Sequence, residues 1–428
     1  MTQAVSAKKT LLVCTVGGSP EPIINSIKHW RPARILFVAS KESEKDIAGI
    51  VELAQDGSDA HEAPDELETL VLRDAQNTES CVDEMRAIAA KINQWAQLTG
   101  PGAVVVDFTG GTKCMSAALA MATMRTECIY SYVGSRGGTQ GRDRGGLGAV
   151  KTGSEQIVNQ YNPYKSRGYE AYEQAASLFN GRLYGAAAER MGRFSASLPN
   201  EAGLTAMFNA LTRLMQGYAN WDCFEHAEAR KHLSDAKARA SVLPGEIRKA
   251  VEEKLGGNLA FLQEINDTTR RMRSVSFVCD LWVNARHLAD VGRYDDATAR
   301  LYRAMEAFAQ LKLAEHGINS AEVTLKQLPE SLKYWQPRFK NKKHVLLSLK
   351  DDYALLQALD DAAGKQFYRL HLDDHHSSLR VRNHSILAHG YVPVRKRDFD
   401  KLEKSLGELT GLQLDPRCEF PQLPAQLL

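Results

Sequence analysis

The first 150 residues alternate short apolar segments with segments of helical pattern, and this alternation limits most strongly what the chain can fold into. Five apolar segments are found: TLLVCTV (10–16), ARILFVAS (33–40), LETLVLR (67–73), GAVVVDFTG (102–110) and CIYSYV (128–133). Strands without an alternating polar face are typical of parallel sheets covered by helices on both sides. We therefore predict a doubly wound α/β domain up to about residue 160.

The remaining sequence is helical in pattern, with glycine and proline at positions expected to be turns. A second helical segment begins near residue 274, and a cap at Asp295 or Asp296 is expected to start one of its helices. We predict three domains: an α/β domain over 1–160, an all-α connector over 161–275 and an all-α C-terminal domain over 276–428.

Net charge, cysteine spacing and the distribution of apolar residues exclude several classes of function. The formal net charge is only +2, so any contact with nucleic acid must come from a local basic patch. The seven cysteines form no C-x-x-C pair, which argues against structural zinc and indicates a reducing compartment. There is neither a secretory signal nor an apolar run long enough to span a membrane. We expect a cytoplasmic protein without a metal site or a resident cofactor.

Two glycine-rich loops follow strands of the predicted sheet, TVGGSPEP (15–22) and DFTGGTKCMS (107–116). Ligands of open parallel sheets bind beyond the carboxyl ends of the strands, and glycines let backbone N–H groups approach phosphate oxygens. Neither loop has the spacing of a Walker A or a dinucleotide-binding motif. A third stretch, GSRGGTQGRDRGGLG (134–148), is either a ligand lid or a flexible surface loop.

A polar cluster lies in the apolar C-terminal stretch LRVRNHSILAHGYV (379–392). If this stretch is one helix, Arg382 and His389 return to nearly the same face. The pair suits metal-independent RNA cleavage by the 2′-hydroxyl, with histidine moving a proton and arginine stabilising phosphoryl charge. Asn383 could orient either partner, the role of His384 is open, and ordinary surface contacts are the alternative. The pair His371 and His375 has metal-ligand spacing, but we favour a solvated helix end or loop there.

The first domain resembles CARF domains, the Rossmann-like sensors of CRISPR systems, in its small-residue loop and in D-F-T-G-G-T-K-x-M-S-A-A. The resemblance implies binding of cyclic oligoadenylate in a pocket shared across a dimer two-fold axis. We expect the tetra-adenylate ring rather than the hexa-adenylate ring. Carried over one by one, the expected ligand-binding residues are Val16, Gly17, Gly18, Ser19, Thr109, Gly110, Gly111, Thr112, Lys113 and Met115, with Met115 facing a base.

The stretch R-N-H-S-I-L-A-H-G resembles the signature of HEPN ribonucleases, which cleave single-stranded RNA without metal at a site formed by two copies of the motif. Carried over, Arg382, Asn383 and His389 are the catalytic residues. Sensor, spacer and tail together resemble the CARF–HEPN ribonucleases of type III CRISPR defence. This implies a prokaryotic, homodimeric endoribonuclease that is activated allosterically by cyclic oligoadenylate and has no membrane partner.

Alternatives remain open. The HEPN domain could be an inactive interaction module, or the sensor could also cleave its own activator with Ser19, Thr112 or Lys113. A nucleotide-dependent enzyme is disfavoured because no acid–base or nucleophilic residues accompany the two loops. A transcription regulator is disfavoured because the C-terminal sequence shows no helix-turn-helix pattern. The stretch 333–350 interleaves lysines and arginine with Tyr334, Trp335 and Phe339. It is either an RNA-tracking surface or a solvated charged turn.

Overall fold

The chain forms two compact units, residues 1–170 and residues 171–428. The structure, a computed structural model, describes residues 10–56, 63–99, 103–136, 150, 153–198, 201–266, 274–374, 377–379, 385–386 and 390–427. No helix in these ranges is long and apolar enough to cross a membrane. The predicted boundaries at 160/161 and 275/276 stay predictions.

Unit 1 is built on a six-stranded sheet with the order β3-β2-β1-β4-β5-β6. Its strands are β1 (Leu11–Thr15), β2 (Arg34–Ser40), β3 (Glu66–Leu72), β4 (Val104–Asp107), β5 (Ile129–Ser135) and β6 (Glu155–Tyr161). The first five strands are parallel, and β6 pairs antiparallel with β5. The strand order reverses between β1 and β4, where open α/β sheets bind their ligands.

Helices cover both faces of the sheet, as the apolar strands predict. They are α1 (Glu21–Trp30), α2 (Ile47–Gln55), α3 (Thr78–Thr99) and α4 (Lys113–Thr123), followed by the single turn α5 (Pro163–Ser166). One apolar core joins Ile23 and Ile50 to one face of β1 and β2. A second core joins Met85 and Leu119 to the opposite face. The prediction of a doubly wound α/β domain is confirmed.

The main elements of unit 2, within the described ranges, are helices. Its first part consists of α6 (Tyr169–Asn180), α7 (Tyr184–Ser197), α8 (Ala202–Asp222), α9 (His226–Ala238) and α10 (Gly245–Asn266). Its second part consists of α11 (Val275–Asp290), α12 (Tyr294–Glu315), α13 (Leu349–Ala358), α14 (Ala362–Arg369) and α15 (Lys396–Thr410), around one apolar core. The predicted order of an α/β unit followed by helical regions is confirmed.

The segment 411–427, called here the returning tail, leaves α15 and packs against the connector helices. Asn180 exchanges two hydrogen bonds with the Leu423 backbone, at 2.8 and 2.9 Å. The Asn258 amide donates to the carbonyl oxygens of Arg417 and Glu419 at 2.7 and 3.0 Å. The Phe420 ring lies among four aromatic rings, those of Tyr184, Tyr218, Trp221 and His287. The tail therefore completes the aromatic core of the connector.

Candidate functional site

The two glycine-rich loops of unit 1 meet at the carboxyl ends of β1 and β4. A Cβ atom on Gly17 would lie 2.4 Å from the backbone nitrogen of Gly111, and one on Gly110 would lie 2.3 Å from the Thr15 carbonyl oxygen. Gly111 also has φ +76°, a conformation that L side chains rarely adopt. The Thr15 hydroxyl ties the loops together by donating to the Gly110 carbonyl oxygen at 2.6 Å. Only glycine at these positions allows so close an approach.

A cavity of about 220 Å³ opens beside the two loops. Six of the ten predicted ligand-binding residues line it: Gly17, Gly18, Ser19, Thr109, Gly110 and Gly111. Four of the lining residues are glycines, which leave room for a ligand to approach the backbone, and Ser19 and Thr109 add hydroxyl groups, whereas Glu21 and Glu155 bring carboxylates to the same cavity.

The other four predicted residues do not line the cavity. Val16 is buried, and its backbone N–H donates to the Val38 carbonyl oxygen at 2.8 Å. Thr112 caps α4 by accepting from the Met115 N–H at 3.2 Å. Lys113 is exposed at the first position of α4. Met115 is only 1% exposed, so the prediction that it faces a base is wrong: its side chain fills the core beside Gly111.

Asp107, the last residue of β4, holds the second glycine-rich loop (107–116) in place through hydrogen bonds. It is 3% exposed. One carboxylate oxygen accepts from the Thr109 backbone N–H at 2.9 Å, and the other accepts from the Ser131 hydroxyl at 3.1 Å and from the Ser26 hydroxyl. The Thr109 hydroxyl in turn accepts from the Val133 N–H at 2.8 Å. The loop is therefore held in place before any ligand arrives.

Sequence reasoning missed the other six lining residues, which include the polar side chains of Glu21, Tyr132 and Glu155. Glu21 begins α1, Tyr132 lies on β5, and Glu155 begins β6. Glu155 accepts from the Gly153 N–H at 2.7 Å. The strand β6 could have been found from the alternation in EQIVNQY, but it is an exposed edge strand without the apolar run that identified the others. The stretch 134–148 lies outside the described residues from position 137 onward.

The second candidate site is the C-terminal motif. Arg382, Asn383, His384 and His389 lie outside the described residues, as does His375. The described neighbours give the surroundings: Leu379 and Ser385 are buried, whereas Ile386 is 58% exposed and Tyr391 is 93% exposed. His371 is exposed and lies 3.7 Å from Asp374.

The described residues within the motif do not form a helix. The backbone of Ser385 pairs with that of Val392 in an isolated parallel bridge, and the Gly390 N–H donates to the Ser385 carbonyl oxygen at 3.1 Å. The prediction of one continuous helix is therefore wrong at Ser385, Ile386 and Gly390. The physical reason is that Ser385 uses its backbone groups to close a loop onto residues beyond Gly390, which removes them from a helical ladder.

Asp295 anchors the chain just after the motif. Its carboxylate accepts from the Val394 backbone N–H at 3.0 Å. The prediction that Asp295 or Asp296 caps α12 is wrong: the cap position is Arg293, and the Asp296 carboxylate lies 3.0 Å from the Arg293 guanidinium. The first turn of α12 thus holds the segment that leads out of the motif.

Comparison with family models gives two matches, both to the helical part of the chain. Residues 168–262 match the Csm6 6H domain, and residues 266–413 match the Csm6 HEPN domain, so the two models together span more than half of the chain. The second match contains the whole R-N-x5-H stretch. The chain belongs to the CARF–HEPN family of type III CRISPR systems.

Two solved structures are similar to this CARF–HEPN protein. Enterococcus italicus Csm6 bound to cyclic hexa-2′-fluoro-hexa-dAMP has 10% identity and a TM-score of 0.45, covering 94% of this chain and 93% of that one. Can2 from Sulfobacillus thermosulfidooxidans in complex with cyclic tetra-adenylate has 11% identity and a TM-score of 0.24, covering 51% and 66%. Comparison with curated proteins found no significant match.

Proposed function

We propose that the protein is a single-strand-specific endoribonuclease that is switched on by cyclic oligoadenylate. The observation that carries this proposal is the R-N-x5-H stretch, Arg382 to His389, inside the region that matches the Csm6 HEPN domain. The cavity of unit 1 supports the second half, because its four glycines and the hydroxyl groups of Ser19 and Thr109 lie together at the carboxyl ends of β1 and β4, where open parallel sheets bind their ligands.

The proposed reaction is internal transesterification. The ribose 2′-oxygen gives up its proton and attacks the adjacent phosphorus, the bond from phosphorus to the 5′-oxygen breaks, and that oxygen takes a proton. The products are a 2′,3′-cyclic phosphate and a 5′-hydroxyl, with no net change in protons. His389 moves a proton at neutral pH, Arg382 stabilises the charge that grows on the phosphoryl oxygens, and Asn383 orients either group.

The proposal includes a homodimer. The resemblance to HEPN ribonucleases implies that two copies of the motif form one site. Two copies brought together across a two-fold axis would supply two Arg382 guanidinium groups and two His389 imidazoles to the same phosphate. Activation then requires the cyclic ligand to bind the active arrangement of the dimer more tightly than the idle one.

The test is cleavage of labelled single-stranded RNA by the purified protein in EDTA, with cyclic tetra- or hexa-adenylate present or absent. We expect cleavage with the tetra-adenylate, none without activator, and 2′,3′-cyclic phosphate ends on the products. The His389→Ala variant should bind the activator normally and leave the RNA intact. Absence of cleavage with both rings, or full activity of His389→Ala, would contradict the proposal.

A further inference from the structure

Residues 340–344, called here the basic turn, present an uncompensated positive charge. Lys340, Lys342, Lys343 and His344 are all exposed, and none of them forms an ion pair within the part of the chain that the structure describes. The neighbouring basic side chains are neutralised instead: Arg338 contacts Asp351 with two hydrogen bonds, at 3.0 and 2.7 Å, and Lys333 pairs with a glutamate one turn earlier. The charge of the basic turn is therefore free to attract an anion.

The basic turn is held in shape at both ends. Before it, Trp335 and Phe339 are buried in the apolar core, and the Lys342 N–H donates to the Phe339 carbonyl oxygen at 2.9 Å. After it, Val345 and Val323 exchange two backbone hydrogen bonds, at 2.9 and 3.1 Å. A surface that is already ordered loses less conformational entropy when a ligand binds.

An exposed aromatic ring accompanies the lysines. The Tyr334 side chain is 71% exposed, while the next residue, Trp335, is only 7% exposed. An aromatic ring that remains in solvent beside several lysines is the combination that binds single strands, because bases stack on the ring while the cations contact phosphates. An acidic protein surface would use the lysines but not the ring.

The basic turn and Tyr334 lie near the segment that enters the R-N-x5-H motif. Lys350 follows the turn and donates to the Asp373 carbonyl oxygen at 2.6 Å. Tyr368 lies near both Asp373 and Tyr334. Burial raises the pKa of its hydroxyl most, and the charges of these two residues raise it further. The surface that carries Tyr334 therefore adjoins the residues just upstream of Leu379.

We propose that the basic turn and Tyr334 bind the single-stranded RNA substrate outside the cleavage site, with the three lysines on phosphates and Tyr334 under a base. This inference rests on the proposed ribonuclease function and adds a second contact region for its substrate. The formal net charge of the chain is only +2, so a local patch is what can hold a polyanion.

The experiment measures RNA affinity without cleavage. The full-length protein carrying His389→Ala is compared with the same protein carrying Lys340→Ala, Lys342→Ala and Lys343→Ala in addition. Fluorescence anisotropy with a labelled single-stranded RNA is recorded over a series of salt concentrations. We expect the triple replacement to weaken binding roughly tenfold or more at low salt and to make the plot of log affinity against log salt shallower by about 2, or roughly 0.7 per lost phosphate contact.

A matched control removes three other lysines of unit 2, by Lys237→Ala, Lys249→Ala and Lys401→Ala. These side chains are exposed, and their loss changes the net charge by the same amount. We expect this control to keep the affinity and slope of the parent. The Tyr334→Ala variant should weaken binding about tenfold with an unchanged slope, because stacking involves no counterion release.

The outcomes separate this inference from the proposed function. If the His389→Ala protein binds RNA through the lysines but the wild-type protein cuts no RNA, the proposed binding surface is supported and the proposed ribonuclease activity is contradicted. Equal affinity and slope in the triple variant and its control would overturn the binding surface. So would a parent protein that does not bind RNA, a result that would direct attention to an acidic protein partner.

Discussion

The Nε2 atom of His226 lies 2.7 Å from the Asp280 carboxylate, and both side chains are buried. The other carboxylate oxygen accepts from the Trp221 indole N–H at 2.7 Å. His226 and Trp221 belong to the connector helices, whereas Asp280 belongs to α11, the helix that opens the second part of unit 2. One carboxylate therefore joins the connector to the region that carries the HEPN motif.

Replacing Asp280 should destabilise unit 2 strongly. In Asp280→Ala the buried donors of His226 and Trp221 lose their acceptor, so we expect the free energy of unfolding to fall by about 3 kcal/mol. Asp290→Ala on the same helix is the control, because Asp290 is half-exposed and its ion pair with Arg182 contributes about 1 kcal/mol or less. Urea denaturation followed by circular dichroism measures both. Equal losses in the two variants would contradict the central role of Asp280.

Gly17→Ala should weaken binding of the activator. The new Cβ would collide with the Gly111 backbone and push the two loops apart, so we expect the affinity for cyclic tetra-adenylate to fall at least about tenfold. Gly49→Ala on α2 is the control, since a Cβ there meets nothing within 4 Å. Isothermal titration calorimetry measures binding, and circular dichroism checks that the sheet is intact. Wild-type affinity in Gly17→Ala would show that the loops do not hold the ligand.

Asp352 should make stability depend on pH. Burial raises the pKa of its carboxyl from 3.8 to about 7, and the charges of Glu306 and Asp351 act in the same direction, while Ser320 and Arg303 act against it. Between these values the folded protein binds a proton that the unfolded chain has lost. The contribution of Asp352 to stability is therefore most favourable at low pH and falls as pH rises towards 7, by something of the order of 4 kcal/mol.

The Asp352→Asn variant imitates the protonated carboxyl and should lose this dependence. Its advantage over the wild type in the free energy of unfolding should grow from about pH 4 to about pH 7 and then stay constant. Asp360→Asn is the control, because that side chain is exposed and should leave the pH profile unchanged. Urea titrations across this range measure both. If Asp352→Asn has the same dependence of unfolding free energy on pH as the wild type, Asp352 is not the group that causes this dependence.

A dimer with one intact motif should be nearly inactive. Heterodimers of a wild-type protomer with an Arg382→Ala, His389→Ala protomer can be purified with two different affinity tags. If the site needs both copies, RNA cleavage in the presence of activator should fall at least about a hundredfold, the usual effect of losing a general acid or base. Heterodimers with a Lys237→Ala protomer should keep full activity. Half of the wild-type activity in the test heterodimer would show that each motif works alone.

Periodicity predicted the fold of unit 1 well because each inner strand is apolar on both faces, and only a covered parallel sheet buries such strands. Strand β6 escaped this reasoning because it is an edge strand with most of its side chains in solvent. The glycines of the two loops were found from the sequence, since they follow strands. The contact between the two loops was not predicted, because it depends on the pairing of β1 with β4 in the sheet, which the sequence does not reveal.

The errors at the sites also have physical causes. Met115 was expected to face a base because it follows the T-G-G-T-K stretch, but the rotation of α4 turns it into the core. The motif was considered as one helix because its apolar residues are compatible with a helix, but the backbone of Ser385 pairs with that of Val392 a few residues later instead. The sequence assigned no role to Asp107. Its function of holding the second loop depends on three hydrogen-bond donors, and only the structure shows that they surround its carboxylate.

The returning tail has a consequence for how the protein is made. Phe420 fills a place among the rings of Tyr218 and Trp221, yet it is synthesised about two hundred residues later. The connector emerges from the ribosome early and cannot close its core until the second part of unit 2 has followed it. A chain interrupted before the tail carries exposed aromatic rings, which are the kind of surface that chaperones and proteases act on. The tail thereby couples survival of the protein in the cell to completion of its synthesis.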